Sequence, residues 1–240
     1  MENTIYYMKR VFLLMTVFGL FYLGITSVMG VQGATDINVG GSSRAPFTNS
    51  SSQSTPVQAG NVTELNISGS AITTHWAGFF GEISGTLTLE NSAGDVFYNW
   101  SGLNSLSGEV FASTDNAVSW GGIGCASAGE ITALETALSI AGTDADRVEN
   151  TYTSNAHPDF EVGGASLSGC NSTNAYVSSA LDPSSFYQVL LTDTEGDAIY
   201  TTLINESLTG FDSATHDFQL LVGENETAAT TDLYFYIELN

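Results

Sequence analysis

Short runs of alternating apolar and polar residues, each closed by glycine, asparagine or aspartate, set the limits on what this chain can fold into. Successive side chains of a strand point to opposite faces, so a period of two buries one face and wets the other. Ile83, Leu87 and Leu89 alternate with Ser84, Thr86, Thr88 and Glu90, which predicts a half-buried strand. Asn91 to Asp95 supply a turn and Val96 to Trp100 return, giving a hairpin with a longer loop. Val62, Leu65 and Ile67 suggest an earlier strand; Val110 to Ser113, Ala117 to Trp120 and Phe160 to Val162 suggest shorter ones. Phe186 to Leu191, a turn at Glu195-Gly196-Asp197, and Ala198 to Ile204 read as a second hairpin. Asp217 to Val222 and Leu233 to Leu239, joined by Glu224 to Asp232, read as a third. The pattern predicts a mainly β chain built as an antiparallel β-sandwich.

Between the two cysteines the period changes. Ser127 with Glu130 forms a capping box, and Ile131, Leu134, Leu138 and Ala141 follow at helical spacing until Gly142. Thr143 with Asp146 suggests the cap of a second, shorter helix through Val148 and Tyr152. A helical insert at about 126–153 is therefore expected inside the β domain. Cys125 and Cys170 flank it, and an even cysteine count in an exported chain reads as a disulfide that pins the insert. Neither cysteine has a Cys or His at ligand spacing, which disfavours a metal or nucleophilic pair.

Export is read from the N-terminus. Lys9 and Arg10 precede an uncharged apolar run from Val11 to about Val31, followed by Gln32-Gly33-Ala34. A basic segment, an apolar run and a small-residue exit make a secretory signal, expected here as residues 1–33 with the cut after Gly33. The runner-up is an uncleaved anchor, since about 20 apolar residues span a bilayer. The membrane is then reached only through this segment. Residues 34–60 are rich in Ser, Thr and Gly and read as a flexible leader, with the β-sandwich domain occupying 61–240.

The charge balance excludes whole classes of partner. The chain carries 26 acidic and four basic residues; without Glu2, Lys9 and Arg10 of the export segment, 25 acids face two bases, Arg44 and Arg147. Such a surface repels nucleic acid and anionic lipid and attracts cations and water. The acids are spread along the chain, so hydration in a salty medium is favoured over one specific cation site.

Candidate sites follow from these readings. Seven Asn-x-Ser/Thr sequons stand at Asn49, Asn61, Asn66, Asn99, Asn171, Asn205 and Asn225 as N-glycosylation candidates. Asn49 and Asn171, in Ser/Thr-rich stretches, look most accessible, whereas Asn99 sits within a strand. Asp193, Glu195 and Asp197 alternate as oxygen ligands do in a calcium loop, a weak site for calcium or magnesium and the only cofactor considered; a plain hairpin turn is the better reading. His75, His157 and His216 lack ligand spacing and read as structural hydrogen-bonding groups. The aromatics Trp76, Phe79, Phe80, Trp100 and Trp120 offer either a sugar-stacking platform or, as aromatics in β proteins usually do, core. No Gly-x-Ser-x-Gly or other catalytic motif is present, so no catalytic residue is assigned and a non-enzyme is expected.

His75-Trp76-Ala77-Gly78-Phe79-Phe80-Gly81-Glu82-Ile83-Ser84-Gly85, running to Phe97-Tyr98-Asn99-Trp100, resembles a family of uncharacterised secreted archaeal, haloarchaeal-like surface proteins. So do His157-Pro158-Asp159-Phe160, the run Asp217 to Val222 and the ending Tyr234 to Leu239. The resemblance implies an archaeal source and an extracellular or cell-surface location, and it carries no catalytic residues. The expectation is an exported structural or interaction protein of the cell envelope whose partners are envelope proteins, glycans or copies of itself. The alternative is a binding module for glycan or divalent cation.

The acid excess generates a direct expectation. At molar salt the Debye length is about 3 Å, so repulsion across the surface largely disappears. The melting temperature of the mature protein, followed by circular dichroism, rises smoothly from low to molar sodium chloride. A flat profile would contradict this reading of the composition.

Overall fold

The computed structural model describes residues 30–44, 54–69, 71–100, 107–225 and 230–239. The chain is mainly β and every strand pairing is antiparallel. The first elements are β1 (Gln32–Gly33), β2 (Trp76–Gly81), β3 (Leu87–Glu90), β4 (Val96–Trp100), β5 (Gly108–Ser113) and β6 (Gly124–Cys125). Helices α1 (Ala128–Ala137) and α2 (Val148–Thr151) follow. Then come β7 (Phe160–Val162), β8 (Ala165–Leu167), β9 (Ser172–Asn174), β10 (Tyr176–Val177), β11 (Ala180–Leu181), β12 (Tyr187–Thr192) and β13 (Ala198–Leu203). The last are β14 (Leu208–Thr209), β15 (Thr215–His216), β16 (Phe218–Gly223) and β17 (Tyr234–Leu239).

A seven-stranded sheet in the order β1-β17-β5-β13-β12-β6, with β9 also on β12, forms the centre. Both of its faces are covered. On one, Val110, Ala112, Leu190 and Tyr200 pack with Ile131, Leu138 and Val148 of the helical region and with Leu220 and Val222 of β16. On the other, Phe111, Val189, Leu191 and Ile199 pack with Phe160, Val162 and Leu167 of the β7–β8 hairpin. Strands β5, β12 and β13 are consequently buried at almost every position, and their sequences read as apolar and Thr/Ser runs rather than as clean alternation.

Gln188 ties the layers together. Fully buried on β12, its Nε2 lies 2.6 Å from the Gln219 carbonyl, 2.8 Å from that of Phe186 and 3.2 Å from Thr202 Oγ1. Its Oε1 accepts the Leu221 N–H at 2.8 Å. One side chain thus serves β12, β13 and β16. At the start of β5, Gly108 adopts φ +128, and a Cβ there would run into the Glu238 carbonyl, so a side chain is excluded.

The disulfide joins Cys125 and Cys170, with Cα atoms 4.9 Å apart, and fastens β6 to the segment entering β9. Helix α1 carries the expected capping box: Ser127 Oγ accepts the Glu130 N–H and Glu130 accepts the Ser127 N–H. It ends at Ala137, four residues short of Ala141, because Ser139 enters the left-handed region; Leu138 and Ile140 remain buried on non-helical backbone. The short α2 is not capped by Thr143. It starts after Arg147, whose guanidinium lies 2.8 Å from both Glu135 and Glu149, while Glu135 also accepts the Glu149 N–H.

Several strand expectations are corrected. Residues 61–69 are exposed and have no strand partner, so Val62, Leu65 and Ile67 form no strand. Residues 117–120 are held by the 3-10 turn Trp120–Gly122 and by Asp193, whose Oδ2 accepts the Ser119 N–H. Strands β16 and β17 do not pair with each other: β16 pairs with β2, whose strand character was not foreseen, and β17 with β5 and β1. The β3–β4 hairpin forms as expected, but Leu89 and all of Val96–Trp100 are exposed. Residues 30–44 and 54–60 contribute only β1 as regular structure; the rest of the export segment lies outside the described residues.

Replacing Gln188 with Leu strands the Gln219 carbonyl and the Leu221 N–H in the interior. Denaturant unfolding of Gln188→Leu is expected to show a loss of about 3 kcal/mol, since each buried unsatisfied group costs ~1–3 kcal/mol.

Candidate functional site

Strands β3 and β4 form a two-stranded sheet of their own, joined to no other strand among the described residues. Its turn is built by one residue. Asn91 Oδ1 accepts the N–H groups of Ala93 and Asp95, and Asn91 Nδ2 donates to Asp95 Oδ2. Leu89, Val96, Phe97, Tyr98 and Trp100 are all exposed, Phe97 at 84% and Trp100 at 47%. Tyr98 and Trp100 lean on each other edge to face, 4.8 Å between centroids. An isolated hairpin is marginal in water, and this one exposes five large apolar side chains on one ribbon.

Trp76, Phe79, Phe80, Trp100 and Trp120 do not assemble into a platform, and three of them take the core positions that are the commoner reading. Trp76 and Phe79 pack into the core beneath β2 and β16. Trp120 packs on Phe111 and Tyr236 on the opposite face. Phe80 lies against Phe211 and His216, 4.9 and 4.8 Å away, leaving Trp100 alone of the five on the hairpin. Alternation within β2 sends Phe79 inward and Phe80 outward, so neighbours in sequence part company.

The turn at 193–197 is a hairpin turn, and its acids have separate tasks. Asp193 Oδ1 accepts the Glu195 and Asp197 N–H groups. Burial raises the Asp193 carboxyl, but backbone N–H groups of Ser119, Asp197, Glu195 and Gly196 outweigh it and hold the pKa below the ordinary value. Asp197 is pushed up by burial and by the charges of Asp193, Asp115 and Glu195. Asp115, Asp193 and Asp197 offer one oxygen each within 4.8 Å of one another, the only such group of three among the described residues. Glu195 is not in the group; it accepts from Thr194 Oγ1 instead. Asp115 is 78 residues from Asp193 in sequence and nothing local pointed to it.

The histidines take structural positions. His157 accepts the Cys170 N–H at Nε2, and its Nδ1 lies 2.8 Å from the Pro158 carbonyl. His216 contacts Asp212 at 3.0 Å, and His75 Nδ1 lies 3.5 Å from Asp146. An open depression of about 470 Å³ beside the seven-stranded sheet is lined by Glu109, Asp159, Phe160, Glu161, Leu203 and Ile204.

The sequons sort by geometry. Asn61, Asn66 and Asn99 are exposed, Asn99 on β4 opposite Thr88. Asn171 is less accessible than its neighbours suggest, because it is half-buried and its amide donates to the Ala126 carbonyl. Asn205 accepts the Phe186 N–H, and the Asn225 amide donates to the Ala137 carbonyl at the end of α1. Asn49 lies outside the described residues. No family model, curated protein or solved structure matches this chain.

The raised Asp197 carboxyl gives a signed test. The folded state holds its proton above pH 3.8, where the unfolded chain has released it, so stability is lost as pH rises from there through the folded value. Asp197→Asn is therefore expected to be more stable than the parent at pH 7 without divalent ions. If the triad takes up calcium, the parent gains melting temperature saturably with calcium and Asp197→Asn does not. A parallel rise in both proteins would reduce calcium to a screening ion.

Proposed function

We propose that this is an exported, non-enzymatic structural or interaction protein of an archaeal cell envelope, acting at the cell surface through the β3–β4 hairpin. The observation that carries this reading is the exposed set Leu89, Val96, Phe97, Tyr98 and Trp100 on a ribbon with no third strand among the described residues. Aromatic side chains are the usual anchors of protein interfaces, where they bury large areas at little conformational cost. The segment Ile83 to Trp100 carries Glu90 and Asp95 as its charges, close to the acid density of the whole chain, so apolar burial rather than charge would draw a partner there.

Other features support the same reading. The Cys125–Cys170 disulfide persists in oxidising surroundings and is uncommon in reducing cytosol. The acid excess suits a hydrated surface in strong salt. A second reading, binding of a divalent cation, is favoured by the Asp115–Asp193–Asp197 geometry. Binding of a glycan draws on the same hairpin aromatics.

Sedimentation of the native protein with isolated envelopes of the producing cell, in molar salt, tests the first reading. The Phe97→Ser/Trp100→Ser double variant is expected to lose at least about tenfold in the envelope-bound fraction, as removal of aromatic anchors does, while its melting temperature stays near the parent's. Undiminished binding by the double variant would overturn the role of the hairpin.

A further inference from the structure

Three of the sequon asparagines have work to do in the fold. Asn171 Nδ2 donates to the Ala126 carbonyl at 3.2 Å, beside the Cys125–Cys170 bridge. Asn205 Oδ1 accepts the Phe186 N–H at 2.8 Å, next to a residue held at a φ of +46. Asn225 Nδ2 donates to the Ala137 carbonyl and to Ser139 Oγ, both at 3.1 Å, and closes the end of α1. An N-linked glycan is joined to Nδ2. At Asn171 and Asn225 that nitrogen already faces a carbonyl of the fold, so a sugar there would push into packed backbone. Asn99 is exposed, but its backbone is engaged opposite Thr88 in the β3–β4 ladder.

Asn61-Val62-Thr63 and Asn66-Ile67-Ser68 stand apart from these. Both lie in residues 61–69, which are exposed throughout, run without a turn after Gly60 and pair with no strand among the described residues. No hydrogen bond to either side-chain amide is found among the described residues. A stretch of this kind can be drawn out as an acceptor, with each asparagine and the hydroxyl two residues on sharing one face. The same stretch is a liability. Asn61 to Ile67 holds Val62, Leu65 and Ile67, a single charge at Glu64, and neither proline nor glycine. That is the composition of a segment that adds itself to sheet edges. Val62 is 103% exposed and Ile67 89%, so no described residue covers them.

We propose that Asn61 and Asn66 carry N-linked glycans, and that these sugars keep the 61–69 segment from pairing with another copy of the chain. The co-reactant is a glycan activated on a lipid-linked phosphate. Asparagine Nδ2 attacks its anomeric carbon: the N–C bond forms, the C–O bond to the phosphate breaks with its electron pair leaving on the phosphate oxygen, and one Nδ2 proton is released to solvent. The two sites are five residues apart. In a strand such residues point to opposite faces, so one sugar stands on each side of the segment. A sheet edge that approaches Val62, Leu65 and Ile67 then meets a bulky, hydrated group from either side. The inference rests on the export reading, because glycosylation of this kind belongs to secreted chains. It is independent of the β3–β4 hairpin and of any envelope partner.

Peptide mass analysis of native protein recovered from outside the producing cell tests the sites. Peptides containing Asn61 and Asn66 are expected to carry sugar mass at both, and those containing Asn171, Asn205 and Asn225 to carry none. Bare Asn61 and Asn66 in exported protein overturn the proposal and leave the export reading standing; bare sequons in protein retained inside the cell overturn both. The role of the sugars is tested with Asn61→Gln/Asn66→Gln made in the same cell. This variant is expected to lose both sugar masses, to melt at the parent's temperature, and to shift to larger species than the parent on size exclusion in molar salt. Adding Val62→Ser and Ile67→Ser is expected to reverse that shift. A sugar-free variant that elutes with the parent contradicts the shielding role. So does one that melts well below the parent, since the sugars would then serve folding instead.

Discussion

Gln188 is the interaction on which the architecture turns. A buried amide is tolerated only when its donors and acceptor are all engaged, and here they are engaged by β13, by β16 and by Phe186 just before β12. It fixes β16 against β12 in one register, because a slip of one residue would present the wrong backbone group to each end of the amide. The β2–β16 pair, carrying Phe79, Leu220 and Val222, is thereby seated over α1 and the central sheet. The hairpin β3–β4 follows directly from β2, so its placement is inherited from this clasp.

The chain was legible where local chemistry decides and opaque where partners decide. The capping box of α1, the Asn91 turn, the hairpin of β12 and β13 and the disulfide all rest on short-range signals or on cysteine parity. The cleanest alternation misled about burial: Leu89 within it is exposed, while the central strands, buried on both faces, alternate poorly. Pairing of β16 with β2 joins residues about 140 apart, and no local pattern encodes such a choice. Long sequence separation also hid Asp115 from the Asp193 turn and Glu109 from Glu238. Val62 to Ile67 has strand composition without a partner, which shows that propensity alone does not make a strand.

Charge and apolar surface are distributed in a way that bears on function. Acids dominate the chain, and the β3–β4 ribbon carries Glu90 and Asp95 beside exposed Phe97, Tyr98 and Trp100. An anionic body keeps copies apart in dilute salt, and the apolar side chains of the ribbon give a place where association gains from burial once salt screens the repulsion. Strong salt would favour both stability and docking, which fits a surface protein in a saline setting.

The central claim is that the β3–β4 ribbon is covered when the protein is in place. Hydrogen exchange, read residue by residue on envelope-bound and free protein in molar salt, tests it most directly. The account predicts that amides of Leu87–Glu90 and Val96–Trp100 exchange rapidly in free protein and slowly on the envelope, while those of Tyr187–Thr192 are slow in both. Unchanged exchange along the ribbon, with protection arising elsewhere, would contradict it.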